Sequence, residues 1–411
     1  MKRTEKDMKA DTEATPDRGE ATMMMEPALL GSDSRHRGAL TDLAVDLVAK
    51  ASGFRRSLPA GIVTALADLV RSMNCYYSNL IEGHDTHPID IERALKNDYS
   101  ADPRKRDLQI EAKAHIAVQR WIDEGHLRNR SVAAESIIEV HRRFCAELPD
   151  DLLWIEDPET NEKARVVPGE LRSRDVRVGR HISISPGAVP RFLARFEQAY
   201  GKLGRADTLL AAAAAHHRLL WIHPFLDGNG RVTRLMSHAT LLDALDTGGI
   251  WSVSRGLARN VAAYKNHLAE CDLQRRNDLD GRGNLSEEAL ASFTRFFLEI
   301  CVDQVSFMEG LMQPDRLRVR ILRWAEEEMR LDAFPPKTGS ILEALLYRGA
   351  LPRGDVAGIL DVTPRHARRV VSALTERGVL SSAGPREPLV LAFPATLASV
   401  WMPGLFPDRP V

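Results

Sequence analysis

The chain has 411 residues, a formal net charge of −1, 44% hydrophobic residues and 27% charged residues, a composition typical of a folded protein with two or three domains. The balanced charge excludes a global attraction to nucleic acid or membrane, so any basic surface must be local. The four cysteines are far apart and form no Cys-x-x-Cys pair, which argues against a zinc site or a disulfide framework and favours a reducing compartment. With no apolar run long enough to span a bilayer and no signal-peptide core, we expect a cytoplasmic protein without a membrane partner.

Helical periodicity dominates the chain, and we predict a mainly α fold. Residues 1–36 are polar and poor in aromatics, which predicts a disordered tail. Apolar residues then recur at helical spacing, except in "RVVPGELRSRDVRVGRHISISPGAVP", where alternation from Val176 to Ile184 predicts a short β-hairpin inserted between helices. The predicted organisation is the tail (1–36), an N-terminal helical region (37–115), a helical core with the hairpin (116–275), a helical extension and linker (276–335) and a C-terminal module (336–411).

The C-terminal module has a pattern of its own. "DAFPPKTG" predicts a linker, because its two prolines end the preceding helix. Three short helical patterns and then "VLSSAGPREPLVLAFP", which predicts two strands, follow in the order of a winged helix-turn-helix. The third helix places Arg365, Arg368 and Arg369 outward, as candidates for DNA contact. Residues 336–411 carry nine Lys and Arg against six Asp and Glu, a modest excess that suits protein recognition or dimer support at least as well.

The strongest chemical signal is "WIHPFLDGNGRVTRL", which begins at Trp221. Its Gly-Asn-Gly turn lies between two apolar helical patterns, so backbone N–H groups at the start of the second helix can converge on an anion. Arg231 and Arg234 are three residues apart on that helix and can face one group, as polyphosphate binding requires.

Two more residues add chemistry to this segment. Asp227 can hold a Mg²⁺ that bridges phosphate oxygens, and His223 can take a proton from an attacking hydroxyl. A lone Gly-x-Gly pattern would suit a plain corner between two helices. The combination of base, acid, glycine turn and paired arginines favours a polyphosphate site instead.

"HPFLDGNGRVTR" resembles the signature of the Fic family, HxFx[DE]GNGRxxR, at every defined position. The resemblance implies that the core, residues 116–275, is a Fic catalytic core, which in most relatives transfers AMP from ATP to a Ser, Thr or Tyr hydroxyl of a protein and releases pyrophosphate. It implies His223 as the general base and Asp227 as the Mg²⁺ ligand. The residues that it implies at the phosphates are Gly228, Asn229 and Gly230 for the α- and β-phosphates, Arg231 for the β-phosphate side and Arg234 for the γ-phosphate.

The predicted hairpin is similar to the flap of this family, which pairs with the backbone of an extended target segment. By this resemblance, Val178, Gly179, Arg180 and His181 border the nucleotide.

The resemblance also extends past the motif, to the residues expected near the adenine. Tyr264 matches the first of two aromatic positions there. Lys265 stands at the second and departs from the family, which predicts weaker or different base stacking. Asp272 falls where related proteins use an amide to reach the base, so its role stays open.

An upstream stretch, "SNLIEG", which ends at Gly83, resembles the inhibitory pattern [ST]xxxE[GN] of the family. Taken alone, Glu82 would be a solvated or capping carboxylate. Ser78 and Glu82 lie at i and i+4 on one helix face, and the resemblance implies that Glu82 pairs with Arg234, the arginine that the γ-phosphate needs. Charged hydrogen bonds contribute roughly 1.5–3 kcal/mol each, so we expect an autoinhibited enzyme in which ATP binds with its α-phosphate misplaced.

We therefore predict a protein adenylyltransferase that uses ATP and Mg²⁺, modifies target proteins and itself, and is inhibited by Glu82. Some relatives also use the glutamate to remove AMP, so de-AMPylation stays open. Two other hypotheses are a DNA-binding transcriptional regulator whose core only senses nucleotide, and transfer of another phosphate-linked group such as UMP or phosphocholine. Many relatives pair through the core, which leaves a homodimer open as well.

Overall fold

Helices build most of the molecule, as predicted. The computed structural model describes residues 16–156, 161–179, 181–331 and 333–407, and no helix in these ranges is long and apolar enough to cross a membrane. The helices are α1 Arg37–Arg56, α2 Ala60–Ile81, α3 Pro88–Leu95, α4 Pro103–Trp121, α5 Ala134–Ala146, α6 Val189–Tyr200, α7 Arg205–Ile222, α8 Asn229–Leu245, α9 Val253–Arg259, α10 Val261–Cys271, α11 Glu287–Leu311, α12 Pro314–Arg330, α13 Thr338–Arg348, α14 Val356–Leu360, α15 Pro364–Glu376 and α16 Ala398–Trp401.

The strands form short antiparallel pairs. Their bounds are β1 Trp154–Glu156, β2 Lys163–Arg165, β3 Arg177–Val178, β4 His181–Ile182, β5 Leu380–Ser381 and β6 Val390–Leu391, paired in sequence order. The β3–β4 pair is the predicted hairpin, and Gly179 in its turn has φ +61°, a conformation that favours glycine. The β1–β2 pair was not predicted, because its strands are only three residues long, too short to show alternation.

Two buried helices, α7 and α8, form the centre of the fold and flank the Gly-Asn-Gly turn between them. The alanine run from Ala211 to Ala215 is buried and lets the neighbouring helices pack close to the α7 backbone. The long helix α11 packs against both α7 and α1. Because α7 is buried on nearly all sides, it carries no solvent-facing polar stripe, and the turn that follows it is held rigidly in the interior.

The N-terminal segment differs from the predicted disordered tail. Residues 16–36 run along the core: Met25 is completely buried, and the carboxylate of Glu20 accepts hydrogen bonds from the backbone and hydroxyl of Ser185. The prediction of disorder rested on the average composition of the segment. Composition does not show the specific ion pairs and hydrogen bonds that hold residues 16–36 in place. The first 15 residues lie outside the described part of the chain.

The C-terminal module contains three helices, α13 to α15, followed by the β5–β6 pair, in the order that the sequence predicts. The residues that follow it pack on α2. The Tyr77 hydroxyl donates to the Leu405 carbonyl at 2.8 Å, the Arg255 guanidinium donates to the Gly404 carbonyl at 2.8 Å, and Phe406 stacks on Tyr77. The last turns of α2 are therefore held between the core and the C-terminal segment.

We predict that Tyr77→Phe lowers the free energy of unfolding by about 1 kcal/mol, because removal of the hydroxyl takes a hydrogen-bond donor away from the buried Leu405 carbonyl. Urea unfolding followed by circular dichroism measures this. Tyr347→Phe is the matched control, since Tyr347 is 62% exposed, and it should be close to neutral. Equal midpoints for the two variants would contradict the role given to the Tyr77 hydroxyl.

Candidate active site

The site is built on the turn between α7 and α8. His223 is the C-cap of α7 and has a left-handed φ of +52°, and Gly228, with φ +79°, is the N-cap of α8. A left-handed histidine is strained unless its surroundings hold it. Arg172 does so: its Nε donates to the His223 carbonyl at 2.7 Å, and its backbone N–H donates to the Pro224 carbonyl at 2.9 Å.

Arg172 is a functional residue that sequence reasoning missed. Its side chain is almost completely buried and also donates to the carbonyls of Arg174 and Ile184, so it ties the base of the β3–β4 hairpin to the turn that carries His223. Burial lowers the pKa of Arg172 to about 10, which keeps the guanidinium charged at neutral pH. No motif identified it, because its partners are backbone carbonyls that come together only in the fold.

The interior of the turn is held by Phe225 and Asn229. The Asn229 amide donates to the Phe225 carbonyl at 2.8 Å, and its side-chain oxygen accepts from the Phe225 N–H at 3.0 Å. His141, which the sequence did not single out, stacks on the Phe225 ring at 3.8 Å between centroids. The side chain of Asn229, predicted to meet phosphate, therefore also shapes the loop, and its second amide hydrogen and its backbone N–H have no part in these two bonds.

His223 is neutral at physiological pH. Burial lowers its pKa to about 4, helped by the charges of Arg172 and His181, while the Leu220 carbonyl and Asp227 act in the opposite direction. A neutral imidazole can accept a proton from a hydroxyl, which is the state that a general base needs.

The N-terminus of α8 lies next to His223 along the chain and carries two buried arginines. The first backbone N–H groups of a helix have no partner within it, and the helix dipole favours an anion there. Arg231 is 7% exposed and donates to Asp227 at 3.0 Å and to Glu111, while Arg234 is 3% exposed and donates through Nε to the Ser78 hydroxyl at 2.8 Å. The sequence missed Glu111, which lies 120 residues before its arginine.

Glu82 lies at the N-terminus of α8, where an anion would be favoured. It caps α2, forms an ion pair with Arg234, and lies so close to Gly230 that a β-carbon there would overlap its carboxylate. Burial raises the pKa of Glu82, but the charge and hydrogen bond of Arg234 outweigh it, so the pKa is lowered and the group stays ionised. The predicted pairing of Glu82 with Arg234, and the shared face of Ser78 and Glu82, are both present.

One residue of the hairpin, His181, contacts the chain that leads into the turn, and the prediction that residues 178–181 border a nucleotide stays a prediction. Val178 is 48% exposed on β3, and His181 donates from Nε2 to the Trp221 carbonyl at 2.8 Å, next to the chain leading into His223. Gly179 forms the turn. Arg180 lies outside the described residues.

The residues predicted near the adenine are arranged differently. Tyr264 is 2% exposed and its hydroxyl bonds to His216 at 2.7 Å, so the ring is part of a buried wall and offers no open face to a base. Lys265 is exposed. Asp272, whose role the sequence left open, bonds to His217 at 3.0 Å and lies 3.8 Å from His181.

The donors at the turn suit a magnesium ion bound together with phosphates. In the described ranges no three His, Cys, Asp or Glu residues are grouped as a metal site. Mg²⁺ commonly takes only one or two protein carboxylates and completes its shell with phosphates and water. The Asp227 side chain is 52% exposed, so it can turn from Arg231 towards such an ion.

The comparison with protein families agrees with this geometry. Residues 131–241, which include the turn and both arginines, match the model of the Fic/DOC family. This segment of the chain is a Fic/DOC domain. The matched Fic residues fall within the predicted core.

Known proteins extend the comparison. A crystal structure of a Fic family protein from Desulfovibrio desulfuricans superposes with a TM-score of 0.51 and 15% identity over 89% of this chain and 98% of that one, which concerns the fold alone. Two curated relatives named Protein adenylyltransferase Fic are 28% identical over 171 residues (Drosophila erecta) and 30% identical over 175 residues (Culex quinquefasciatus). Each match covers 41% of this chain, and the chain spans about a third of the length of the curated relatives it matches.

We predict that Arg172→Met lowers the free energy of unfolding by about 2–4 kcal/mol, because it leaves several buried carbonyls without their charged donor. Urea unfolding measures this. Arg174→Met, two residues away and exposed, is the control and should change stability by less than about 0.5 kcal/mol. A similar decrease in the free energy of unfolding in both variants would show that the buried hydrogen bonds of Arg172 do not account for its contribution to stability.

Proposed function

We propose that this Fic protein is an adenylyltransferase that transfers AMP from ATP to a Ser, Thr or Tyr hydroxyl of target proteins and of itself. The observation that carries the proposal is the pairing of a neutral His223 with an anion-binding helix start in one short turn, next to two buried arginines. Distant similarity to protein adenylyltransferases supports the same activity.

In the proposed reaction, neutral His223 accepts the proton of the target hydroxyl as its oxygen attacks the α-phosphorus of ATP. The new bond joins that oxygen to the α-phosphorus, the bond from the α-phosphorus to the bridging oxygen breaks, and pyrophosphate leaves. N–H groups at the start of α8 and the guanidinium of Arg231 stabilise the charge that develops on the phosphates. Mg²⁺, when bound at Asp227, would neutralise phosphate charge and orient the leaving group.

Glu82 is proposed to inhibit this reaction. Its carboxylate lies where the γ-phosphate would need Arg234, and two anions cannot share one buried cation without a large cost. ATP must then displace Glu82 or bind with its phosphates shifted. The same carboxylate could orient water for removal of AMP, so de-AMPylation belongs to the proposal as a second reaction of this site.

The C-terminal module is proposed to be a winged helix that recognises a partner. Arg365, Arg368 and Arg369 are exposed on α15, while Ala367, Val370 and Leu374 are buried, as expected for a recognition helix that binds DNA phosphates.

A DNA-binding regulator that only senses nucleotide is the alternative from another class. Transfer of UMP or phosphocholine in place of AMP is the other alternative, and a homodimer and a cytoplasmic location also remain proposals.

The first prediction concerns the group transferred. We expect label from α-³²P-ATP, and none from γ-³²P-ATP, on the protein with Mg²⁺, strongest in Glu82→Gly and lost in Glu82→Gly/His223→Ala. The roughly ten- to hundredfold gain follows from removing one charged hydrogen bond that competes with ATP. Autoradiography of the three proteins side by side measures it. Label from the γ-phosphate would make the protein a kinase. If no protein in the series carries label although ATP binds, the result would favour the nucleotide-sensing regulator.

The second prediction concerns pH. Because burial lowers the pKa of His223 to about 4, the histidine stays neutral as pH falls and loses its function as a base only near that value. The rate of self-modification by Glu82→Gly should thus be nearly flat from pH 8 to pH 6 and fall below about pH 5. Circular dichroism at each pH controls for unfolding. An acid limb near pH 6.5, the value of an exposed histidine, would contradict a buried neutral base.

A further inference from the structure

Arg231 is held on three sides by this chain. One terminal nitrogen donates to the Glu111 carboxylate, the other donates to Asp227 at 3.0 Å, and the Phe144 ring lies 4.9 Å from the guanidinium carbon. Glu111 and Phe144 lie on the packed helices α4 and α5, whereas Asp227 is half exposed on a turn. Only the Asp227 side of the guanidinium can therefore open without disturbing the core.

Glu111 is itself fixed in place. Its side chain is 13% exposed and accepts a hydrogen bond from His84 Nδ1 at 3.2 Å. Burial raises the pKa of Glu111, but the hydrogen bonds and charges of His84 and Arg231 outweigh the effect of burial, so the pKa is lowered. The sequence assigned neither Glu111 nor His84 a role.

We propose that Glu111 is the positioning residue for Arg231: it holds one edge of the guanidinium against α4 so that the opposite edge faces the phosphate adjacent to the α-phosphate. This inference rests on the proposed nucleotide site and adds to it a residue outside the family motif. Without Glu111, the guanidinium is free to rotate away from the Asp227 side. Glu82 also acts electrostatically on Arg231, so it can compete for the released guanidinium.

His84 connects this arrangement to the inhibitory loop. It follows Gly83 directly, so the loop that places Glu82 on Arg234 also places His84 on Glu111. The two arginines of the motif are thus each neutralised by a carboxylate, and one loop contacts both carboxylate–arginine pairs. Moving Glu82 away would weaken the support of Glu111 as well, which predicts a smaller but measurable effect of His84.

The test compares ADP and AMP, since only ADP carries the phosphate that Arg231 is proposed to contact. Affinities for each, with Mg²⁺, are measured by isothermal titration in the Glu82→Gly/His223→Ala protein, which cannot turn over. Glu111→Ala should lower the ratio of ADP to AMP affinity by about tenfold, and Glu111→Gln, which keeps an acceptor for Arg231, by less. Arg231→Ala should lower the ratio similarly, and adding Glu111→Ala to it should change little more. His84→Ala should give a smaller decrease.

Asp107→Asn, one turn earlier on α4, is the control and should leave the ratio unchanged. An unchanged ratio in Glu111→Ala would overturn the proposal. So would a higher ratio, which would make Glu111 a second inhibitory carboxylate, or an equal loss of AMP and ADP, which would indicate a purely structural role. If the parent binds ADP more tightly than AMP but Glu82→Gly with His223 intact transfers no α-label, the proposed function fails while the ratio still tests Glu111. If the parent does not prefer ADP, the nucleotide site and this proposal fall together.

Discussion

The charges of two buried arginines at one helix start are the constraint on which the site depends. A buried guanidinium is costly unless anions pair with it. Arg231 and Arg234 are both less than a tenth exposed, and each is paired with a carboxylate from another helix or its cap, Glu111 and Glu82. A polyphosphate is proposed to pair with Arg234 in place of Glu82 and with the Asp227 side of Arg231, because its anionic oxygens accept the same charge-assisted hydrogen bonds. Without a ligand, acidic residues of the chain neutralise both arginines.

This constraint explains why the surrounding helices pack as they do. Glu82 and Ser78 must reach Arg234 from 152 and 156 residues away, so the end of α2 has to lie against α8. The other face of the same turn is held by the C-terminal segment, through the bond from Tyr77 to Leu405. Tyr77 and Ser78 are neighbours that bond to different partners, Leu405 and Arg234, so the position of the Glu82 carboxylate depends on packing from both the core and the C-terminal segment.

Much of the site was predictable, for a physical reason. The Gly-Asn-Gly turn, the paired arginines and the pairing of Glu82 with Arg234 follow from spacing and resemblance, since chemistry at a helix start leaves a local pattern. Arg172 and Glu111 were not predictable, because their partners are backbone carbonyls and a distant arginine. The burial of Tyr264 was not predictable either, because an aromatic residue at a given position does not reveal whether its face is open or buried. The ordered segment 16–36 was missed because composition averages over specific contacts.

The base and the phosphate end of the site are controlled by different interactions. The neutral state of His223 comes chiefly from burial, with the charges of Arg172 and His181 as smaller contributions, and none of these depends on Glu82. In the proposed function, the affinity of the helix start for phosphate depends instead on whether Glu82 occupies Arg234. Inhibition of that kind need not disturb His223, and relief of inhibition need not rebuild it. Because Glu82 would compete only for the cation, moving this one side chain is proposed to be enough to release the site.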